Sequence, residues 1–191
     1  SIVGTSSLRR ESQLRARFPN LQVQPLRGNV QTRLRKLDEN QYAAIILAAA
    51  GLKRLGLSDR ITALLSPEQS LPAVGQGALG IECRANRTDL VAMMQPLHHP
   101  ETAYCVEAER AMSRILGGSC QVPLGAFAEI IDAALQLRGF VSTPDGMRIV
   151  NAALSGAPKS GIKMGEEVAQ QLIQQGADKI LASIVQAEGW K

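Results

Sequence analysis

Residues 2–10 read IVGTSSLRR, a short apolar run followed by hydroxyl side chains and then by two arginines. Hydroxyl residues are good helix N-caps, so this stretch predicts a strand followed at once by a helix that runs to about Phe18. At such a turn the free N–H groups of the helix lie beyond the carboxyl end of the strand, where anions bind. The stretch therefore predicts both a strand–helix unit and a place for an anion.

The same order recurs twice in the residues that follow. Residues 21–24 alternate as a strand does, and a turn at 27–29 ends in an asparagine that can cap a second helix. Residues 43–48 are wholly apolar and predict a buried parallel strand, followed by a short helix that begins near Gly51. Strands that alternate with helices in this way predict a parallel α/β layer.

A different organisation is predicted beyond residues 66–77, SPEQSLPAVGQG, whose prolines and glycines indicate a hinge. A strand at 79–83 and a helix at 88–97 should follow. A longer helix should begin at Pro100, with one apolar face made of Tyr104, Ala108, Ala111, Met112 and Ile115.

The last third of the chain predicts an α+β region with a small antiparallel sheet. Its strands are expected at 125–131, 134–142 and 147–154, and residues 143–146 form a hairpin turn between the last two. Helices at 163–175 and 178–187 should close the region.

Charge is distributed unevenly along the chain. Residues 1–60 carry eleven Lys or Arg against four Asp or Glu, although the net charge is only +4. Nine of those eleven cations are arginines, whose forked guanidinium suits carboxylates and phosphates. Two classes stay open on this evidence: a polyanion-binding module, and a nucleic-acid binder with steeply salt-dependent affinity. Only 3% of the residues are aromatic, which counts against stacking on single strands.

The cysteines, histidines and apolar runs argue against a disulfide-stabilised, metal-binding or membrane-spanning protein. Cys83, Cys105 and Cys120 form an odd set without a C-x-x-C pair, which favours a reducing cytoplasm over a disulfide framework or a zinc site. The adjacent His98 and His99 are expected on an exposed loop rather than at a metal. The longest apolar run, 43–50, is too short to cross a membrane.

Candidate ligand-binding residues concentrate at the three strand-to-helix turns. Ligands of open parallel sheets bind beyond the carboxyl ends of the strands, and each turn there carries cations. The candidates are Thr5, Ser7, Arg9 and Arg10 at the first turn, Arg27, Gly28 and Arg33 at the second, and Gly51 and Arg54 at the third. No nucleotide-binding phosphate loop is present, so several spread carboxylates fit this edge better than a nucleotide.

Five ordered motifs carry a resemblance to a known family: VGTSSLRR (3–10), LRGNVQTRL (26–34), AAAGLKRLG (48–56), LPAVGQG (71–77) and GSCQVP (118–123). Together they closely resemble the porphobilinogen deaminase family, whose members are also called hydroxymethylbilane synthases, and the similarity spans essentially the whole chain. On the residues alone, Cys120 is an incidental loop cysteine more often than an attachment point. The resemblance reverses that preference and implies that Cys120 holds a dipyrromethane cofactor by a thioether.

The resemblance also implies a monomeric cytoplasmic transferase of haem biosynthesis. Such an enzyme joins porphobilinogen units to a growing oligopyrrole, and it uses neither a metal nor a nucleic acid. Arginines 9, 10, 27, 33 and 54 would bind the acetate and propionate groups, and Thr5, Ser7, Gly28, Gly51 and Gln76 would line the cleft.

The resemblance also implies three domains, of which the first is missing from this sequence. The implied division is 1–72 for the second domain, of periplasmic-binding-protein type, 73–98 for a hinge and a returning segment of the first domain, and 99–191 for the C-terminal domain. The resemblance implies that the first domain, which supplies the catalytic aspartate, would precede Ser1. No catalytic residue is therefore assigned within this chain, and the chain alone is expected to be inactive.

Overall fold

The computed structural model describes residues 1–117 and 122–187. A parallel sheet occupies the N-terminal part, with β1 (Ile2–Gly4) in the centre between β2 (Gln22–Gln24) and β3 (Ala44–Ile45). Val3 lies opposite Val23 on one side and opposite Ala44 on the other. The helices α1 (Leu8–Arg17), α2 (Val30–Asp38) and α3 (Ala49–Arg54) follow the three strands in turn. The predicted parallel α/β layer is thus confirmed.

Two of the helix starts are capped as the sequence predicts. The Ser7 hydroxyl accepts a hydrogen bond from the Arg10 amide at 3.5 Å, and the Asn29 side chain accepts one from the Thr32 amide at 2.8 Å. Gly28 precedes the second cap with a φ of +118°, and a Cβ there would lie 2.9 Å from Cβ of Thr32. Glycine is therefore required at this turn.

One predicted strand is shorter and more exposed than expected, and another does not form. The run 43–48 contains only a two-residue strand, and Ala43, Ala44 and Ala48 are exposed because β3 lies at the sheet edge with β1 as its one neighbour among the described residues. Residues 79–83 form no strand, and Leu79 is 99% exposed. A strand requires a partner for its backbone hydrogen bonds, and the part of the chain that the structure describes offers none there.

The C-terminal part is built on an antiparallel sheet of β4 (Leu124–Ile131), β5 (Ala134–Ser142) and β6 (Ile149–Gly156), in that order. It is preceded by α4 (Thr88–Met94), a short 3-10 turn at Gln95–Leu97 and α5 (Pro100–Ile115), and followed by α6 (Gly161–Gln174) and α7 (Ala177–Ala187). The predicted α+β region is confirmed.

The core of this region lies between the sheet and helices α5 and α6. Met112, Leu137 and Val168 are fully buried there. The predicted apolar face of α5 is wrong at its end, since Ile115 is 40% exposed and the buried residue is Leu116 at 7%. Leu116 follows Met112 by four residues and so continues its face of the helix.

The two parts pack against each other through the segment 66–76. Arg138 on β5 donates to a Glu68 carboxylate oxygen at 2.8 Å, and the Ala126 amide on β4 donates to the Pro72 carbonyl at 3.3 Å. Gly146, in the β5–β6 hairpin, lies against α1 so closely that a Cβ there would be 2.4 Å from the Ser12 carbonyl oxygen. Among the described residues, the helices are all too short or too polar to cross a membrane.

Candidate anion-binding site

A cavity of about 630 Å³ opens beside the N-terminus of α1. Arg9, Arg10 and Gln76 contribute its polar wall. Its apolar wall comes from α2, from β3 with the residues after it, and from segment 61–65, which includes the exposed Leu64 and Leu65. Arg60 also lines the cavity and forms an ion pair with Asp38. The cavity therefore combines two adjacent arginines, Arg9 and Arg10, with an apolar wall.

Arg9 is held by neutral acceptors on the segment between the two parts of the chain. Its Nη1 donates to the Leu71 carbonyl at 3.3 Å, and its Nη2 donates to Gln76 Oε1 at 3.4 Å. Burial and, to a lesser extent, repulsion from Arg10 lower the pKa of Arg9 to about 10. The guanidinium is still charged at neutral pH, but it has lost part of its hydration.

Arg10 is in a similar position on the other side of the turn. Its Nη1 donates to the Ile46 carbonyl at 3.0 Å, just beyond the end of β3. Burial lowers the pKa of Arg10, and repulsion from Arg33 lowers it further by a smaller amount. Since Arg33 follows the second strand, the structure brings cations of two predicted turns within electrostatic range of each other.

No carboxylate compensates this charge within the described ranges. Arg9, Arg10 and Arg33 have no ion-pair partner there within 4.0 Å, and Arg33 Nε instead donates to the Gly28 carbonyl at 2.8 Å. Partly buried cations without counter-charges are costly. A ligand that carries several carboxylates would remove this cost.

The remaining sequence candidates take other positions. Thr5 is buried, and its Oγ1 accepts from the Ser7 amide at 3.3 Å, so both hydroxyl residues organise the first turn. Arg27 is exposed, and its carbonyl oxygen accepts from Lys36 Nζ at 3.5 Å. Gly51 and the exposed Arg54 belong to α3 and do not line the cavity. Arg54 lies in the last turn of α3, where a cation also stabilises the helix dipole.

Cys120 lies outside the described residues. Leu116 and Val122, which lie before and after it in sequence, both belong to the C-terminal core. Cys83 and Cys105 are half-buried. His98 and His99 are exposed as expected, and His99 caps α5 by accepting from the Thr102 amide at 3.3 Å.

Sequence reasoning missed two polar residues that brace the site. Gln13 Oε1 accepts from the Leu71 amide at 2.8 Å, and Gln13 Nε2 donates to the Leu71 carbonyl at 3.2 Å and to the Arg9 carbonyl at 2.9 Å. Glu109 is only 5% exposed, and its two oxygens accept from the Gly75 amide at 2.6 Å and from the Ala128 amide at 2.8 Å. Their partners are distant in sequence, so no local pattern could have identified them.

A second cavity, of about 340 Å³, lies between the hinge, α5 and β4. Cys105 lines this cavity. Burial and, to a lesser extent, the negative charge of Glu109 raise the pKa of Cys105, so this thiol is not an activated nucleophile. Among residues 1–117 and 122–187, no group of three or more His, Cys, Asp or Glu side chains could hold a metal ion.

Fold and site together define a parallel α/β unit with a cluster of partly buried arginines, joined to an α+β unit. Family models agree with this class and specify it. Residues 1–92 match "Porphobilinogen deaminase, dipyromethane cofactor binding domain", and residues 103–174 match "Porphobilinogen deaminase, C-terminal domain". The chain belongs to the porphobilinogen deaminase family.

Curated relatives named porphobilinogen deaminase support the assignment. The chain is 71% identical over 184 residues to that of Nitrosomonas europaea, covering 96% of this chain and 60% of the relative. It is 61% identical over 184 residues to that of Methylobacillus flagellatus, covering 96% and 59% respectively. For that of Paraburkholderia phytofirmans the identity is 61% over 192 residues, covering 99% and 56%. The chain thus spans about 60% of the length of these relatives.

Proposed function

We propose that the protein of which this chain is a part is a hydroxymethylbilane synthase, a transferase of haem biosynthesis. It would condense four porphobilinogen units head to tail, with release of ammonia, into a linear tetrapyrrole. The observation that carries the proposal is the group formed by Arg9, Arg10 and Arg33, which is partly buried and lacks carboxylate partners among the described residues. Each porphobilinogen ring adds two carboxylates, and this group would neutralise them.

The residues of the first turn fit a dipyrromethane group. Arg9 and Arg10 would bind its carboxylates through forked hydrogen bonds, and the apolar wall of the cavity would lie against its pyrrole rings. When bound, dipyrromethane supplies the primer to which substrate rings are added. Within the described part of the chain, the Leu71 carbonyl and the Gln76 side chain hold two N–H groups of Arg9, and its other N–H groups would bind the ligand.

Cys120 is our candidate for the attachment residue. Gly125 follows it by five residues, and a Cβ at Gly125 would lie 3.0 Å from Cδ of Arg9. Five residues span at most about 18 Å even when they are fully extended. This short separation in sequence between position 120 and a residue beside Arg9 supports a covalent link between Cys120 and a group bound by Arg9.

The other predicted binding residues would act on the incoming ring and the growing chain. Arg33 lies within electrostatic range of Arg10, whereas Arg27 and Arg54 are exposed further from the cavity. Thr5, Ser7, Gly28 and Gly51 shape the turns, and Gln76 orients Arg9. This division of work, like the domain division 1–72, 73–98 and 99–191, is part of the proposal.

The catalytic aspartate would come from a preceding domain, as the partial coverage of the relatives supports. Segment 78–97 would return to that domain, since Leu79, Met93 and Leu97 expose apolar side chains. A cytoplasmic enzyme accords with the free Cys83 and Cys105.

The test is the conversion of porphobilinogen by the complete protein. Hydroxymethylbilane and ammonia should accumulate at a ratio of one to four. If the complete protein carries no pyrrole group and consumes no porphobilinogen, it is instead a non-catalytic polyanion-binding module.

A further inference from the structure

The amide of Gln13 makes three hydrogen bonds to two backbone segments. Its oxygen accepts from the Leu71 amide, and its nitrogen donates to the carbonyls of Leu71 and Arg9. An amide side chain can accept at its oxygen and donate two hydrogens from its nitrogen. Gln13 therefore both donates to and accepts from the backbone of Leu71, in the manner of a paired β-strand residue. These bonds join α1 to the segment between the two domains.

The Leu71 carbonyl is also an acceptor for Arg9. Gln13 Nε2 lies 3.2 Å from this oxygen, and Arg9 Nη1 lies 3.3 Å from it. The position of the oxygen thus decides where one end of the guanidinium points. Gln76 holds the other end through Oε1, which also accepts from the Ala73 amide at 3.0 Å.

We propose that Gln13 is a positioning residue for Arg9. By fixing Leu71 it holds the acceptor that orients the Arg9 guanidinium toward the cavity, so carboxylates meet a preformed donor pair rather than a mobile side chain. The inference rests on the proposed function, because it assigns Arg9 to the dipyrromethane group. A preorganised donor binds more tightly since less side-chain freedom is lost on binding.

A bond made by Arg17 offers a matched comparison. Arg17, on the same helix, donates from Nη2 to the Glu68 carbonyl at 3.1 Å and so fastens the same segment without touching Arg9 or Leu71. If Gln13 only joined α1 to this segment, Arg17→Leu and Gln13→Met would have similar effects. Methionine keeps the length of the glutamine side chain but removes its hydrogen bonds.

The experiment measures how fast the complete apoprotein, supplied with porphobilinogen, acquires the covalent dipyrromethane mass. Loss of uncharged hydrogen bonds predicts that Gln13→Met forms this species about 3- to 10-fold more slowly than wild type. Arg17→Leu should remain within about 2-fold of wild type. Equal rates for Gln13→Met and wild type, or equal slowing by the two variants, would overturn the proposal.

Gln13→Glu gives a second readout because it places a titratable charge beside Arg9. At neutral pH its carboxylate cannot donate to the Leu71 carbonyl, and it gives Arg9 an internal anion that competes with ligand. A protonated carboxyl restores one donor, so the rate relative to wild type should recover as the pH falls toward about 4.3. This readout decides the matter if Gln13→Met does not fold, and a pH-independent ratio would contradict the proposal. If wild type itself acquires no such mass, the proposed function has failed rather than the role of Gln13.

Discussion

Arg9 and Arg10 lie at the start of a helix where the backbone already favours negative charge. Burial lowers the pKa of both guanidiniums, and the bonds that hold them come from carbonyl and amide oxygens rather than from carboxylates. Such acceptors orient a cation without neutralising it. The two residues are consequently arranged to receive anionic groups from a ligand.

Substitution of single arginines should separate the primer site from the elongation site. Loss of a charge-assisted contact costs about 1.5 to 3 kcal/mol, or roughly ten- to two-hundred-fold in affinity. Changes at Arg9 or Arg10 should leave apoprotein or unextended protein, whereas changes at Arg33 or Arg54 should stall the chain after one or more rings. Mass spectrometry of the complete protein after brief exposure to porphobilinogen would resolve these species.

Arg33→Lys and Arg33→Leu form a matched pair for this test. Lysine keeps the charge but loses the forked geometry, so its variant should be impaired less than the leucine variant and still be defective. If all the arginine variants give the wild-type series of species, merely slowed, the division is wrong and the arginines act only as a diffuse positive field.

At the scale of elements, Glu109 fastens α5 to the hinge and to β4. Burial raises the pKa of this carboxyl, although bonds from the Gly75 and Ala128 amides oppose the effect. The folded protein therefore keeps a proton that the unfolded chain, with a pKa near about 4.3, has released. The free energy of unfolding should fall as the pH rises from that value through the raised pKa of the folded state.

Glu109→Gln removes this titration and should abolish its share of the pH dependence. The measurement is denaturant unfolding of the complete protein between pH 4 and pH 7, with the variant compared to wild type at each pH. Parallel curves for the two proteins would show that Glu109 does not titrate in this range.

The β5–β6 hairpin is held against α1 through Gly146. Its φ is +72°, and a Cβ would lie 2.4 Å from the Ser12 carbonyl oxygen and 2.9 Å from the Ala16 amide nitrogen. Gly146→Ala should lower the free energy of unfolding by about 2 to 4 kcal/mol, since backbone strain and a steric clash add. Gly56→Ala is the control, with a φ of +69° and nothing within 4 Å of its Cβ, and it should cost about 1 to 2 kcal/mol. Equal losses of stability would mean that the hairpin does not press on α1.

The sequence predicted correctly those features that depend on neighbouring residues in the chain. The caps at Ser7 and Asn29 follow from side chains beside their own helices, and the structure confirms them. The strand predicted at 79–83 failed because a strand depends on a partner from elsewhere in the chain or beyond it. The contacts of Gln13 with Leu71 and of Glu109 with Gly75 join residues 58 and 34 positions apart, so they could be found only in the folded chain.

At the scale of the whole molecule, the chain presents apolar side chains that fit an interface. Leu79, Ile81, Met93 and Leu97 are between 61% and 99% exposed, and all lie in segment 78–97. Residues 1–191 expressed alone should bind hydrophobic dyes more strongly than the complete protein and should not convert porphobilinogen. Deaminase activity from this chain alone would show that the catalytic group lies within it.

The most direct test of the central claim is the intact mass of the complete protein, followed by peptide mapping. Wild type should carry one dipyrromethane on the peptide that contains Cys120. Cys120→Ala should lack this mass and all turnover, while Cys83→Ala should retain both. An adduct on Cys83 or Cys105, or a wild-type protein without any adduct that still turns over porphobilinogen, would contradict the account.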